Sequence, residues 1–198
     1  MREMMDKLAS YSLSDFILFS DKVYYRLFEL YNLAIWPMHL LAVSFAFLIF
    51  YMLWKRPLWA GRGMGVILVV SWTWVAWAFL YQRFYQIHVV ANGYALGFLL
   101  QAVLLAWSGV VKNRFVLLEQ NRGRIHIGLC LLVLMFILYP FIAVIAGRSW
   151  LEFEMFALAP DPTVLVTLSL LWVSRASRLL YIIPIIWLLI SGVTLMVM

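Results

Sequence analysis

Long apolar runs, separated by short charged stretches, dominate the chain. The stretches free of Asp, Glu, Lys and Arg cover residues 30–54, 63–82, 84–111, 125–147, 162–174 and 179–198. A helix needs about 20 apolar residues to cross about 30 Å of hydrocarbon. Five runs are therefore long enough and one, 162–174, is short. Because backbone in lipid has to satisfy its own hydrogen bonds, the pattern predicts an all-α, polytopic transmembrane helix bundle of about six spans, one of them discontinuous.

The residues before the first run have a different pattern, in which aromatic and charged side chains alternate. In residues 13–31 the aromatic members include Phe16, Phe19, Tyr24, Phe28 and Tyr31. A helix with one aromatic face and one charged face is typical of the headgroup region of a membrane. The sequence therefore predicts an N-terminal amphipathic, interfacial segment over residues 1–32 and a helix bundle over residues 33–198.

Composition narrows the class of protein. The 198 residues are 66% hydrophobic and 12% charged, and the mean hydropathy is +0.97. Soluble domains are roughly half apolar and about a quarter charged. A chain this apolar cannot cover a soluble surface, which excludes a water-soluble enzyme, a disordered tail and a nucleic-acid-binding module. The lipid bilayer is the first partner that the composition implies.

The positive charges indicate an orientation. They collect after the first, third and fifth runs, at Lys55, Arg56, Arg62, Lys112, Arg114, Arg122, Arg124, Arg175 and Arg178. Loops rich in Lys and Arg stay in the cytoplasm, which also explains the net charge of +6. The prediction is a multi-pass protein with both termini on the outer side of the membrane.

The short fifth run begins with Pro160-Asp161-Pro162-Thr163. Proline is favourable in the first turn of a helix, and Asp161 can cap the free donors there. We therefore expect a helix that begins at Pro162, completed on its outer side by residues 150–160. Broken spans of this kind place a helix N-terminus within the membrane, where transporters bind substrates. The alternative is simply a short, well-capped helix.

Other ionisable residues are expected on the same outer side as this break. Arg83 interrupts residues 63–111, which otherwise carry no charge, and His88 follows it. His39 lies near the outer part of the first span. A proton- or ion-linked site needs groups of this kind, but their spacing matches no metal-ligand motif, and no metal site is predicted. The candidate ligand-binding residues are Asp161, Pro162, Thr163, Arg83, His88 and His39.

Two further patterns concern helix faces. The aromatic residues Trp74, Trp77, Tyr81, Phe84 and His88 share one face of an α-helix. This face can line a pocket for a flat apolar ligand such as a quinone, or serve as packing or an interfacial belt. In the third run, Gly93 and Gly97 permit close helix contact and Gln101 can bond across it. We expect packing within the chain there, with a dimer face as the alternative.

Signatures of catalysis are missing from the sequence. It contains no Gly-x-Ser-x-Gly, Walker loop or His-Glu-x-x-His motif, and Cys130 is its single cysteine. No catalytic residue is therefore predicted, an enzyme is the less favoured class, and the sequence identifies no cofactor.

Three segments together resemble a family of small bacterial multi-spanning proteins that is catalogued as a domain of unknown function. They are Ser14-Asp15-Phe16 with the Tyr24–Asn32 stretch, Trp36-Pro37, and Pro160-Asp161-Pro162-Thr163 leading into Thr167-Leu168. The resemblance covers nearly the whole chain and implies a bacterial inner-membrane location. Its Pro-x-Pro-Thr signature often has Cys between the prolines, where this chain has Asp161.

Two functions remain open. The first is an inner-membrane protein that binds or transports a small solute or ion near the outer ends of its helices. The second is a non-catalytic accessory or structural subunit of a larger membrane complex, with lipid or quinone as a candidate contact. A homo-oligomer or a membrane-complex partner is compatible with either.

Overall fold

The computed structural model describes residues 20–115, 122–174 and 176–197, and every element within these ranges is a helix. The expectations for Ser14, Asp15, Phe16 and Phe19 lie outside the described residues. The helices are α1 (Asp21–Ala34), α2 (Met38–Lys55), α3 (Ala60–Gln86), α4 (Ala91–Val111), α5 (His126–Ile145), α6 (Pro160–Val173) and α7 (Arg178–Val197). The α-helical part of α5 already begins at Arg122.

The predicted all-α bundle is confirmed. Five helices (α2, α3, α4, α5 and α7) are long and apolar enough to cross a membrane, and each coincides with one of the long runs. The sixth, α6, has 14 residues, about 21 Å at 1.5 Å per residue. It begins at Pro160, two residues before the predicted start, because a proline ring is tolerated throughout the first helical turn.

The aromatic face of α1 packs into the bundle. Phe28 stacks on Phe79 of α3 with ring centroids 4.7 Å apart, and both side chains are almost fully buried. The Tyr31 hydroxyl donates to the Leu158 carbonyl at 3.0 Å and accepts from Trp74 Nε1 at 3.0 Å. These contacts attach α1 to α3 and to the segment that precedes α6.

Glycines bring α3 and α4 into close contact, but not the pair that the sequence suggested. A Cβ atom added at Gly65 of α3 would lie 3.0 Å from the carbonyl carbon of Gly109 in α4. At Gly93 and Gly97 an added Cβ would meet nothing within 4 Å. The expectation of packing within the chain at those two glycines is therefore wrong, because their side of α4 faces outward. Gln101 does bond between helices, through Nε2 to the Leu180 carbonyl at 2.9 Å.

Three of the long helices contain a π-helical segment: Val75–Tyr81 in α3, Ala106–Val111 in α4 and Leu134–Leu138 in α5. In a π-helix the hydrogen bonds run from i to i+5, so a turn holds more residues than in an α-helix. In α3 the wider turn changes the direction of the side chains that follow it, so the predicted aromatic face is divided between the inside and the outside of the bundle. Trp74 bonds inward to Tyr31, whereas Trp77 and Tyr81 are exposed.

Candidate functional site

The N-terminus of α6 is held by a compact set of hydrogen bonds. Ala157, just before the helix, has a left-handed backbone with φ of 70°, and its N–H donates to Thr163 Oγ1 at 3.0 Å. The Thr163 hydroxyl in turn donates to the Ala159 carbonyl at 2.7 Å. The Thr167 hydroxyl, one turn later, accepts from Trp72 Nε1 of α3 at 2.8 Å. Thr163 therefore fixes the turn, and Thr167 fixes the helix against α3.

Asp161 lies in the first turn of α6 and is almost completely buried, with 7% exposure. Its two oxygens accept hydrogen bonds from Trp187 Nε1 and Ser191 Oγ of α7, each at 2.6 Å. Trp187 and Ser191 are four residues apart, so they share one face of α7. Asp161 was expected to cap its own helix. The N-cap is Ala159, with no side-chain cap, and the carboxylate bonds across to α7 instead.

Within the described residues, no Lys, Arg or His forms an ion pair with the Asp161 carboxylate. A buried carboxylate with only neutral partners is costly unless its charge is compensated. The carboxylate is therefore a suitable acceptor for a proton or a small cation.

A narrow cleft reaches the two donors of Asp161. Its walls include Trp187, Ser191, His88, Tyr94 and Tyr24, and its volume is about 30 Å³. This is room for one or two water molecules. Nε2 of His88 lies 3.5 Å from the Tyr94 hydroxyl. Burial lowers the pKa of His88 below its ordinary value near 6.5, so the imidazole is neutral at pH 7.

Glu154 is a second buried carboxylate beside this site. Its Oε1 lies 3.8 Å from Nη1 of Arg148, and only 10% of the Glu154 side chain is exposed. That distance is too long for a hydrogen bond, and Glu154 Oε2 has no hydrogen-bond partner among the described residues. The guanidinium of Arg148 lies over the ring of Tyr25, 4.0 Å from its centroid. The ion pair is therefore incomplete.

The electrostatics connect Glu154 with Asp161. Burial and the negative charge of Asp161 raise the pKa of Glu154 to about 8, although Arg148 opposes the shift. Burial and the charges of both carboxylates raise the pKa of Tyr24 well above 10. Two carboxylates that share one poorly solvated region cannot both be ionised without a penalty, so this region favours the uptake of a proton by one of them.

The sequence-predicted site residues are only partly brought together. Asp161, Pro162 and Thr163 lie in the first turn of α6, and His88 lines the cleft that reaches the partners of Asp161. Arg83 and His39 do not line this cleft.

Arg83 lies with Lys22 and Arg26 along a separate surface groove. His39 Nε2 is 3.3 Å from Asn32 Oδ1, and the Asn32 amide donates to the carbonyls of Leu151 and Phe153. Asn32 therefore attaches α1 to the segment before α6, and His39 joins α2 to Asn32.

The list of candidate residues left out four side chains around the carboxylates: Trp187, Ser191, Glu154 and Arg148. A polar signal existed for the first two, since they stand four residues apart in a largely apolar run. Glu154 could not be separated from Glu152, although Glu152 closes a capping box with Ser149 and has a purely local role. No group of three or more His, Cys, Asp or Glu residues that could hold a metal occurs in the described part of the chain.

Comparison with known proteins assigns a family. The family model of DUF6064, a family of unknown function, matches residues 21–198. The chain belongs to DUF6064. No curated protein and no solved structure matches it. The DUF6064 match includes α1 to α7, Glu154 and the Pro160–Thr163 turn, so the whole candidate site lies inside the family region.

Proposed function

We propose that this DUF6064 chain is a multi-pass inner-membrane protein of bacteria that binds and moves a small cation at Asp161 and Glu154, and that this cation is the proton. The observation that carries the proposal is the buried Asp161 carboxylate, whose two hydrogen-bond donors among the described residues, Trp187 and Ser191, are both neutral. Ionisable groups within membrane bundles face functional pathways and relay protons or ions.

The size of the cleft favours the proton over a larger solute. About 30 Å³ of space accommodates water but no organic solute. The incomplete pairing of Glu154 with Arg148 leaves a carboxylate that can take up a proton. Tyr24 lines the same cleft and lies in the field of both carboxylates.

Proton flux into liposomes tests this proposal. Purified protein is reconstituted with a pH-sensitive dye inside, and a potassium diffusion potential is imposed with valinomycin. Wild-type protein is expected to acidify the lumen faster than empty liposomes do, and Asp161→Asn and Glu154→Gln are expected to abolish the difference. Asp21→Asn, an exposed carboxylate on α1, is the matched control and should retain the flux. Equal flux in Asp161→Asn and wild type would reject the site.

The proposed orientation has both termini in the periplasm. It is supported by cations beside exposed tryptophans at the C-terminal ends of α2 and α4. Lys55 lies 4.7 Å from the Trp54 ring centroid and Lys112 lies 4.9 Å from that of Trp107, an arrangement typical of a cytoplasmic interface. Alkaline phosphatase fused after residue 198 should be active. If this fusion is inactive, and a reporter that fluoresces only in the cytoplasm is bright at the same position, the opposite orientation is correct.

A second function, an accessory subunit of a membrane complex, is favoured by the outward side of α4 at Gly93 and Gly97. Open space surrounds both glycines, and small residues four apart permit close contact with a helix of another chain. Native mass spectrometry of protein released gently from its own membranes distinguishes the two functions. A different chain at fixed stoichiometry supports the subunit, and a lone chain or a homo-oligomer supports the ion carrier.

A further inference from the structure

A second cavity opens between α3 and α4, and it shares no lining residue with the cleft near Asp161. Its volume is about 540 Å³, within the range of roughly 300–1,000 Å³ that is usual for small-molecule sites. Trp77 and Tyr81 of α3 form one wall, and Asn92, Leu96 and Leu99 of α4 form the other. We call this cavity the α3–α4 groove.

The wall on α3 is flat and aromatic. The rings of Trp77 and Tyr81 are stacked, with centroids 5.6 Å apart and planes 23° apart. Their exposures are 57% and 51%, so about half of each residue is left uncovered by the described part of the chain. Both lie in the π-helical segment of α3, and segments of this kind occur often at functional sites. Such a wall suits a planar ring, which aromatic side chains bind by offset stacking.

The groove also contains one unsatisfied polar group. The amide oxygen of Asn92 is buried and has no hydrogen-bond partner among the described residues. A buried acceptor without a donor is unfavourable. Because this oxygen has almost no accessible surface, a ligand in the groove can donate to it only after the Asn92 amide turns toward the groove. Because an amide both donates and accepts, Asn92 can bind either a hydroxyl or a carbonyl oxygen on a ring.

Away from Asn92 the groove is aliphatic. Leu96 and Leu99 lie on α4 with exposures of 68% and 41%. Leu99 follows Asn92 by seven residues, about 10 Å along a helix. The groove therefore has a polar and aromatic end near the α3–α4 connection and an apolar end toward the middle of both helices.

We propose that the α3–α4 groove binds a bilayer-dissolved lipid of the quinone or quinol class, with its oxygen-bearing ring against Trp77 and Tyr81 and its aliphatic tail along Leu96 and Leu99. The inference rests on the membrane location proposed above and is independent of the ion site. An acyl chain of a phospholipid would fill the aliphatic end but would leave the aromatic wall and the Asn92 amide without partners.

Photoaffinity labelling of the wild-type protein in phosphatidylcholine nanodiscs tests the groove. The probe is an azido-substituted 1,4-benzoquinone with a decyl chain, and labelled peptides are located by mass spectrometry. Labels are expected within residues 73–81 and 92–99, and excess unlabelled decylbenzoquinone should remove them. Labels spread over all exposed apolar faces, or displaced equally by added phosphatidylcholine, would overturn the proposal.

Variants identify the contacts. Trp77→Ala should weaken the probe's apparent affinity about two- to twelvefold, the usual effect of one aromatic contact, and Asn92→Leu should weaken it by a similar factor. Trp107→Ala is the matched control, because Trp107 has 56% exposure, close to that of Trp77, but does not line the groove. Equal affinity in Trp77→Ala and Trp107→Ala would refute the stacking. Proton flux in liposomes should be unchanged in Trp77→Ala, which separates this inference from the ion site.

Discussion

The paired substitutions Asp161→Asn and Asp161→Leu distinguish the charge of this carboxylate from its hydrogen bonds. Asn offers one oxygen and one amino group at the positions of the two carboxylate oxygens. The indole N–H of Trp187 only donates, so the oxygen has to face Trp187, whereas the Ser191 hydroxyl can turn and accept from the amino group. Asn therefore keeps both contacts now made at 2.6 Å. Leu keeps neither.

The expected change in the free energy of unfolding depends on which hydrogen-bond donor loses its acceptor. In Asp161→Leu the Ser191 hydroxyl can turn to a carbonyl one helical turn earlier, as the Thr194 hydroxyl does to the Ile190 carbonyl at 2.8 Å. The buried Trp187 N–H has no such alternative, and an unsatisfied buried donor costs about 1–3 kcal/mol. We expect Asp161→Leu to lower the free energy of unfolding by that amount. Asp161→Asn should stay within about 1 kcal/mol of wild type, because both hydrogen bonds remain.

A double-mutant cycle isolates the contact. Unfolding in detergent is followed by tryptophan fluorescence for wild type, Asp161→Leu, Trp187→Phe and the double variant. Because Phe has no N–H, the penalty of an orphaned donor disappears in the double variant, and we expect a coupling energy of about 1–3 kcal/mol. A coupling energy near zero would show that Asp161 does not accept a hydrogen bond from Trp187. An Asp161→Asn variant as unstable as Asp161→Leu would likewise refute the two hydrogen bonds from neutral donors.

Three further predictions concern stability. The folded pKa of Glu154 (about 8) is above its ordinary 4.5, so stability should be greatest below about pH 4.5, fall as the pH rises from about 4.5 to 8, and level off above 8. Glu154→Gln should flatten this profile, and an unchanged profile in unfolding experiments would contradict the shift. Thr163→Val leaves the buried N–H of Ala157 without its acceptor and should cost about 1–3 kcal/mol, with faster amide exchange at Ala157. Protection that stays the same there would exclude the bond. Gly65→Ala should destabilise the protein by about 1–3 kcal/mol through a backbone clash. Gly93→Ala, in open space, should stabilise it by up to about 1 kcal/mol. Equal shifts of the two thermal unfolding midpoints would contradict this difference in packing.

The helices could be predicted from the sequence because charge and hydropathy act along the chain. Each long charge-free run coincides with a helix that is long and apolar enough to span a membrane. Pro160 and Pro162 marked the start of α6 to within two residues. These signals are local, and no tertiary contact is needed to interpret them.

The site could be predicted only in part. The sequence indicates how far along its helix a residue lies, but not toward which neighbour its side chain points. Arg83, His88 and His39 were grouped because all were expected near the outer ends of their helices. The rotation of each helix about its axis decides what a side chain meets, and only His88 lines the cleft. The partners of Asp161 are 26 and 30 residues away in the chain, a separation at which apolar periodicity carries no information on pairing.

The π-helical segment of α3 also affects how this helix tolerates changes in length. A wide turn accommodates one residue more than an α-helical turn in the same stretch. Removal of one residue between Val75 and Tyr81 would therefore convert the stretch to an ordinary α-helical turn, with the connections at either end of α3 unaltered. Helix α3 thus contains an internal point at which a single-residue deletion is absorbed by the winding of the backbone and not by a loop.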